Sequence, residues 1–202
     1  MKTPYDSAEK AMKKVYSDNQ KRFNNMRLRL AKFDELNVMQ ISKSVKSLFN
    51  DIRNQTMSVY MKLAKEKYPK ATKKLLLSWL EMVYIVVEYQ FENEFLRKQA
   101  RYIEALTALS QNGKSLNGAE MLQLQKRMLN SLNLQLDEFS VYVVDKAMQQ
   151  EMIETEVKKV KWNAEMDKRT CAECRSMDGQ TYDVHKIPSK PHIRCRCWVE
   201  KV

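Results

Sequence analysis

LLSWLEMVYIVVEYQFENEFLRKQARYIEALTAL, residues 76–109, decides the fold class. Leu76, Leu80, Val83, Val87, Phe91, Phe95, Tyr102, Leu106 and Leu109 recur at intervals of three, four or seven, the repeat that lines up side chains on one face of an α-helix. No glycine or proline interrupts the run. Unbroken, it predicts a helix of about 40 residues, roughly 60 Å at 1.5 Å per residue. Rods of that length build bundles, coiled coils or assembly surfaces.

Working toward the N-terminus, Pro69 interrupts the pattern and is expected to open this helix, since proline is tolerated in a first turn but not in an interior. Before it, Met26, Leu30 and Phe33, then Ile41, Val45, Leu48, Ile52, Val59 and Leu63, keep the same spacing. Toward the C-terminus, residues 111–118 hold Asn112-Gly113 and Asn117-Gly118, the one clear turn of the body. Asn117 is placed to cap the next helix and Glu120 to complete a capping box. That helix carries Leu122, Leu129, Leu132, Leu136, Phe139, Val143 and Ala147 on one face and is expected to continue to about Lys159. Residues 1–158 therefore read as a body of long antiparallel helices, and residues 159–202 as a small separate module.

Three glycines and four prolines in 202 residues leave little besides helix for most of the chain. The net charge of +11 is uneven. Lys and Arg outnumber Asp and Glu 18 to 7 over residues 1–80 and 11 to 6 over 158–202, and are outnumbered 7 to 12 between them. Basic ends suit DNA, an anionic membrane or an acidic protein surface. No membrane span is expected, because the most apolar run, residues 75–91, carries Glu81 and Glu88 on one face. Residues 1–16 are polar, so no leader is expected and the protein should be made in a cytoplasm.

The chemistry is concentrated at the end of the chain. All four cysteines and both histidines fall within residues 171–197. Cys171 and Cys174 form a CxxC knuckle, and His192, Cys195 and Cys197 form HxxCxC after a loop. Two such pairs complete a tetrahedron of thiolate and imidazole, the donor set zinc prefers. Five candidates compete for four places: Cys171, Cys174, His192 and Cys195, or the same set with Cys197 replacing His192. The first gives both knuckles equal two-residue gaps. His185 reads as a surface residue of the loop, with the alternative that it substitutes as a ligand. A surplus of ligands points to a closed, structural Zn2+ rather than a catalytic one with an open position. Asp178 and Asp183 are the residues that could serve as bases, but Asp178-Gly179 reads as a hairpin turn with residues 180–182 starting a strand. The expected fold class is mainly α, a long-helix body with a small zinc-stapled α+β C-terminal module, and no enzyme is expected.

Trp162, Asp167, Cys171-Ala172-Glu173-Cys174, Met177-Asp178-Gly179-Gln180, Pro191-His192 and Cys195-Arg196-Cys197 resemble, in order and spacing, the C-terminal domain of the Mu F protein-like head morphogenesis proteins of tailed bacteriophages. Glu154-Thr155-Glu156 is similar to the helix-borne Thr-Glu of that family. The resemblance covers residues 150–202. Only five residues separate Glu156 from Trp162, fewer than is usual in the family, and Ile193-Arg194 stands where Pro-Asn is often found. The resemblance implies a minor capsid protein of the virion, made in the host bacterium and associated with the portal protein and head components. Its implied part is in head morphogenesis, DNA packaging or genome delivery, and the basic ends suit non-specific contact with packaged DNA. The alternative is a zinc-containing nucleic-acid-binding regulator, with Arg169, Arg175, Lys186, Lys190, Arg194 and Arg196 reaching phosphates.

Overall fold

The computed structural model describes residues 3–30, 38–112, 119–192 and 195–202, with side chains described except at 30, 80–95 and 131–139. Four long helices come first: α1 (Asp6–Leu30), α2 (Val38–Lys67), α3 (Lys73–Gln111) and α4 (Ala119–Glu154). Strand β1 (Lys159–Asn163), short helix α5 (Ala172–Met177), β2 (Thr181–Asp183) and β3 (Trp198–Lys201) follow. The protein is mainly α with a small α+β end. Among the described residues no helix is long and apolar enough to cross a membrane.

The 39-residue α3 contains the run quoted above. It does not open at Pro69. Pro69 instead takes the second position of a β-turn closed by the Ala71 N–H on the Tyr68 carbonyl at 3.0 Å, a place its fixed φ favours. Thr72 then caps α3: its Oγ1 accepts the Leu75 N–H at 3.2 Å, satisfying a donor the helix itself cannot.

The chain divides into two compact units. One gathers Ala11–Val59 and Glu81–Leu136. Within it α1 and α2 run antiparallel, because Asp18 accepts from Gln55 at 3.3 Å while Phe23, further along α1, meets Phe49, earlier on α2. Phe23 touches Phe49 and Tyr102 edge-on, with centroids 6.2 and 5.6 Å away. Each such pair adds about 0.5–1.5 kcal/mol to the burial of the rings. Met12, Val15, Asn19, Phe23 and Met26 are buried at three- and four-residue intervals, so the α1 stripe begins well before Met26.

On α4 the buried face passes through Met121, Gln125, Met128 and Leu129, and Leu122, expected on the stripe, is 48% exposed. The reason is polar. Gln125 is buried because its Nε2 donates to Asn24 Oδ1 at 2.7 Å, and this draws the inward meridian toward a line about 60° round from Leu122. The expected Asn117 cap and Phe33 lie outside the described residues, as do the side chains of Leu30, Leu80, Val83, Val87, Phe91, Phe95, Leu132, Leu136 and Phe139.

The other unit gathers Met1–Lys10, Tyr60–Leu80 and Asp137–Val202. Here α4 ends at Glu154, short of the expected Lys159. The Val157 N–H bonds the Met152 carbonyl at 2.9 Å and the Glu156 N–H bonds that of Ile153 at 3.1 Å, while Glu156 takes a left-handed φ of 58°. This is the Schellman pattern, completed by Val157 packing on the cluster that contains Met152. It turns the chain into β1, the middle strand of an antiparallel sheet of order β2-β1-β3. Val160 and Trp162 alternate inward along β1, Val160 opposite Tyr182 and Trp162 opposite Val199. Val160 and Val184 pack with Met152, and Gln149 of α4 donates to the Val184 carbonyl at 2.7 Å. Asp178-Gly179 is not a hairpin turn. It joins α5 to β2, whose partner is β1, and Gly179 supplies the φ of 75° that the reversal needs.

Candidate metal centre

Thr170 leads into α5, and Cys171 is the residue that caps it. With extended backbone, its Sγ accepts the Cys174 N–H at 3.3 Å, while its carbonyl takes the Arg175 N–H at 3.1 Å. A CxxC at a helix start thus places one thiol on the cap and the next on the first turn, both toward the sheet. In the opposite half the Cys195 N–H meets the His192 carbonyl at 3.2 Å. Cys195 and Cys197 are both buried.

Cys174 stands at the centre. Its Sγ lies 3.4 Å from His192 Nε2 and 3.6 Å from Cys195 Sγ. The ligand atoms of Cys171, Cys174 and His192 lie within 4.8 Å of one another, and so do those of Cys174, Cys195 and Cys197. All five expected ligand residues are therefore brought together and can hold a metal ion. A tetrahedral ion with metal–sulfur bonds of about 2.3 Å and metal–nitrogen bonds of about 2.0 Å has edges of about 3.8 Å (S to S) and about 3.5 Å (S to N). The two measured separations are close to those edges. The four cysteines are free thiols, and 3.6 Å is far beyond the ~2.05 Å of a disulfide.

The electrostatics suit a cation. Burial pushes the Cys174 and Cys195 thiols up, whereas the Cys174 N–H draws the Cys171 thiol down. Packed thiols resist ionising together in so little water, and a divalent ion reverses that balance by supplying the missing positive charge.

The remaining motif residues hold the cluster in place. Trp162, 1% exposed, forms its floor with Ala164, and Tyr182 meets the indole edge-on at 6.2 Å. Asp178 Oδ1 accepts the Ala164 N–H at 2.7 Å, and the Gly179 N–H bonds the Trp162 carbonyl at 2.8 Å, so this turn ties α5 to β1. Arg196 reaches Glu165 at 2.6 Å and Asp167 at 2.7 Å, and this guanidinium holds the Asp167 carboxyl well below the usual carboxylate range. Asp183 Oδ1 accepts the His185 N–H at 2.8 Å, and His185 is exposed and apart from the cluster.

Of the six basic residues expected at phosphates, four are engaged within the protein, Arg169 with Asp167 at 3.5 Å and Arg175 with the Thr170 carbonyl at 3.2 Å among them. Arg196 is held by Glu165 and Asp167, and Lys190 lies 3.4 Å from Asp145. Arg194 lies outside the described residues. Arg169, Arg175 and Lys186 are exposed. Sequence reading missed Tyr5 and Asp145, which converge behind the cluster, because nothing local marks residues so far apart in the chain.

The fold and the site together define a long-helix protein ending in a sheet-backed cluster of four thiols and one imidazole. No family model, curated protein or solved structure matches the chain.

Proposed function

We propose that this chain is a structural minor head protein of a tailed bacteriophage, acting at the portal vertex in head morphogenesis, DNA packaging or genome delivery. The observation that carries the reading is the ordered set Trp162, Asp167, CxxC, Asp178-Gly179, His192 and Cys195-Arg196-Cys197, which resembles the C-terminal domain of Mu F-like proteins. Each member has a definite task in the geometry above, as floor, clamp, knuckle, turn or ligand. Long helices suit docking on a large partner, and exposed Lys158, Lys159, Lys168, Arg169, Arg175 and Lys186 suit nearness to packaged DNA.

The ion is zinc, with a structural role. Thiolate and imidazole donors in a tetrahedron favour it, and five candidate donors leave no open position for water. When bound, the ion supplies the folding energy that so small an apolar core lacks. Four of Cys171, Cys174, His192, Cys195 and Cys197 hold it, Trp162 shields it, and Arg196 with Asp167 fixes the ligand loop.

Mass spectrometry of purified virions, together with co-purification of portal protein after co-expression, tests this function. Presence in virions and a portal complex support it. Absence from virions with no binding to portal or procapsid overturns it and favours a free nucleic-acid binder.

A further inference from the structure

Three side chains from distant parts of the chain meet at the main-chain carbonyl of Cys197. Tyr5, just before α1, donates its hydroxyl to Asp145 Oδ1 on α4. Lys190, in the loop leading to His192, donates to the Tyr5 hydroxyl oxygen at 2.6 Å and to the Cys197 carbonyl, and lies 3.4 Å from Asp145 Oδ2. The Tyr5 hydroxyl oxygen is itself 3.0 Å from that carbonyl. The three protons of the ammonium thus have three partners, and it also lies over the Tyr5 ring at 4.5 Å and toward the Trp162 ring at 5.9 Å.

This ring of groups has no part in ligation. It grips the peptide that leads from Cys197 into β3, and so fixes where the Cys197 thiol stands. Tyr5 is buried and Asp145 half-buried, so water replaces the Tyr5 hydrogen bonds poorly when the ring opens. An ion that holds the cysteines in turn holds the carbonyl where Lys190 and Tyr5 meet it.

We propose that Tyr5, Asp145 and Lys190 form a metal-linked latch, by which ligation at the cluster and attachment of the start of α1 and of α4 to the module strengthen each other. Linkage requires the two effects to be equal: the factor by which the closed latch tightens metal binding is the factor by which metal closes the latch. This inference rests on the reading of the cluster as a metal centre, and not on the phage-head reading.

The test uses the full-length protein and zinc. Competition with a chromophoric chelator should show zinc held about 10–100-fold more weakly by Tyr5→Phe and by Lys190→Met than by wild type, the range seen when groups supporting metal ligands are removed. Amide hydrogen exchange on wild type, which needs no variant to fold, should show peptides at the start of α1 and around Asp145 losing protection by a similar factor when zinc is stripped. Wild-type protein that retains no zinc overturns the metal reading and the latch with it. Tight zinc binding in wild type and both variants within twofold of each other overturns the latch alone. So does stripped protein whose loss of protection is confined to residues 159–202.

Discussion

Glu156→Gly should stabilise the unit that carries the cysteine cluster. Glu156 is the non-glycine residue with positive φ among the described residues, at 58°, and its exposed side chain makes no hydrogen bond there. Left-handed backbone costs a non-glycine residue about 1–2 kcal/mol, because Cβ crowds the following carbonyl. Glycine removes that term but brings about 0.4–1 kcal/mol of extra chain entropy in the unfolded state. The two bonds that close the cap, from the N–H groups of Glu156 and Val157, are main-chain bonds and survive the change. The net gain is therefore about 0.5–1 kcal/mol, or roughly 1–4 °C in melting temperature for a chain of this size. Glu156→Val should do the opposite by about 1–2 kcal/mol, because a β-branched residue tolerates this region worst. Thermal and urea unfolding followed by circular dichroism, at fixed zinc, measures both. A glycine variant that melts below wild type, or a valine variant that matches it, would refute the reasoning.

Protein purified without chelator should contain close to one equivalent of zinc by elemental analysis; Cys174→Ser, which removes the atom common to both ligand groups, should retain far less than Cys171→Ser or Cys197→Ser, and equal retention would show that Cys174 is not central. Arg196→Met should raise the titration midpoint of Asp167 toward the usual value of about 3.9. Because the folded carboxyl is held low, its contribution to stability is present above that value and lost as pH falls through the lower folded one. Carbon NMR of the Asp167 carboxyl reads the midpoint directly, and an unchanged value would sink the clamp. Binding to duplex DNA should be independent of sequence and fall steeply with salt; a preference for one sequence that survives high salt would favour the regulator reading.

The long helices were legible because their signal is repetitive, and Leu76, Tyr102 and Leu106 of the expected stripe are buried. Errors fell where a polar residue turns inward or a cap competes. Gln125 hides the true face of α4, since only its bond to Asn24 makes burial tolerable, and hydropathy alone favours Leu122. The end of α4 was misread because Glu156 carries no local mark of a left-handed residue, a place where glycine is the usual signal. The convergence of Cys171, Cys174, His192, Cys195 and Cys197 was legible because a metal-binding pattern restricts residue type and spacing together. β1 was not anticipated: Lys-Val-Lys-Trp-Asn alternates, but five residues after a long helix are too few to separate a strand from its continuation. Tyr5 and Lys190 meet across most of the chain, and nothing local in a sequence encodes such a meeting.

Cys195, Arg196 and Cys197 alternate between two opposite environments, thiols turned toward Trp162 and the guanidinium turned toward Glu165 and Asp167. A slip of one residue in this segment would push a permanent charge among the sulfurs and leave a thiol facing two carboxylates. Both halves of the error are unfavourable at once, so misthreaded forms of the loop gain neither the ion nor the salt bridge. The alternation therefore favours a single register for the segment that leads into β3.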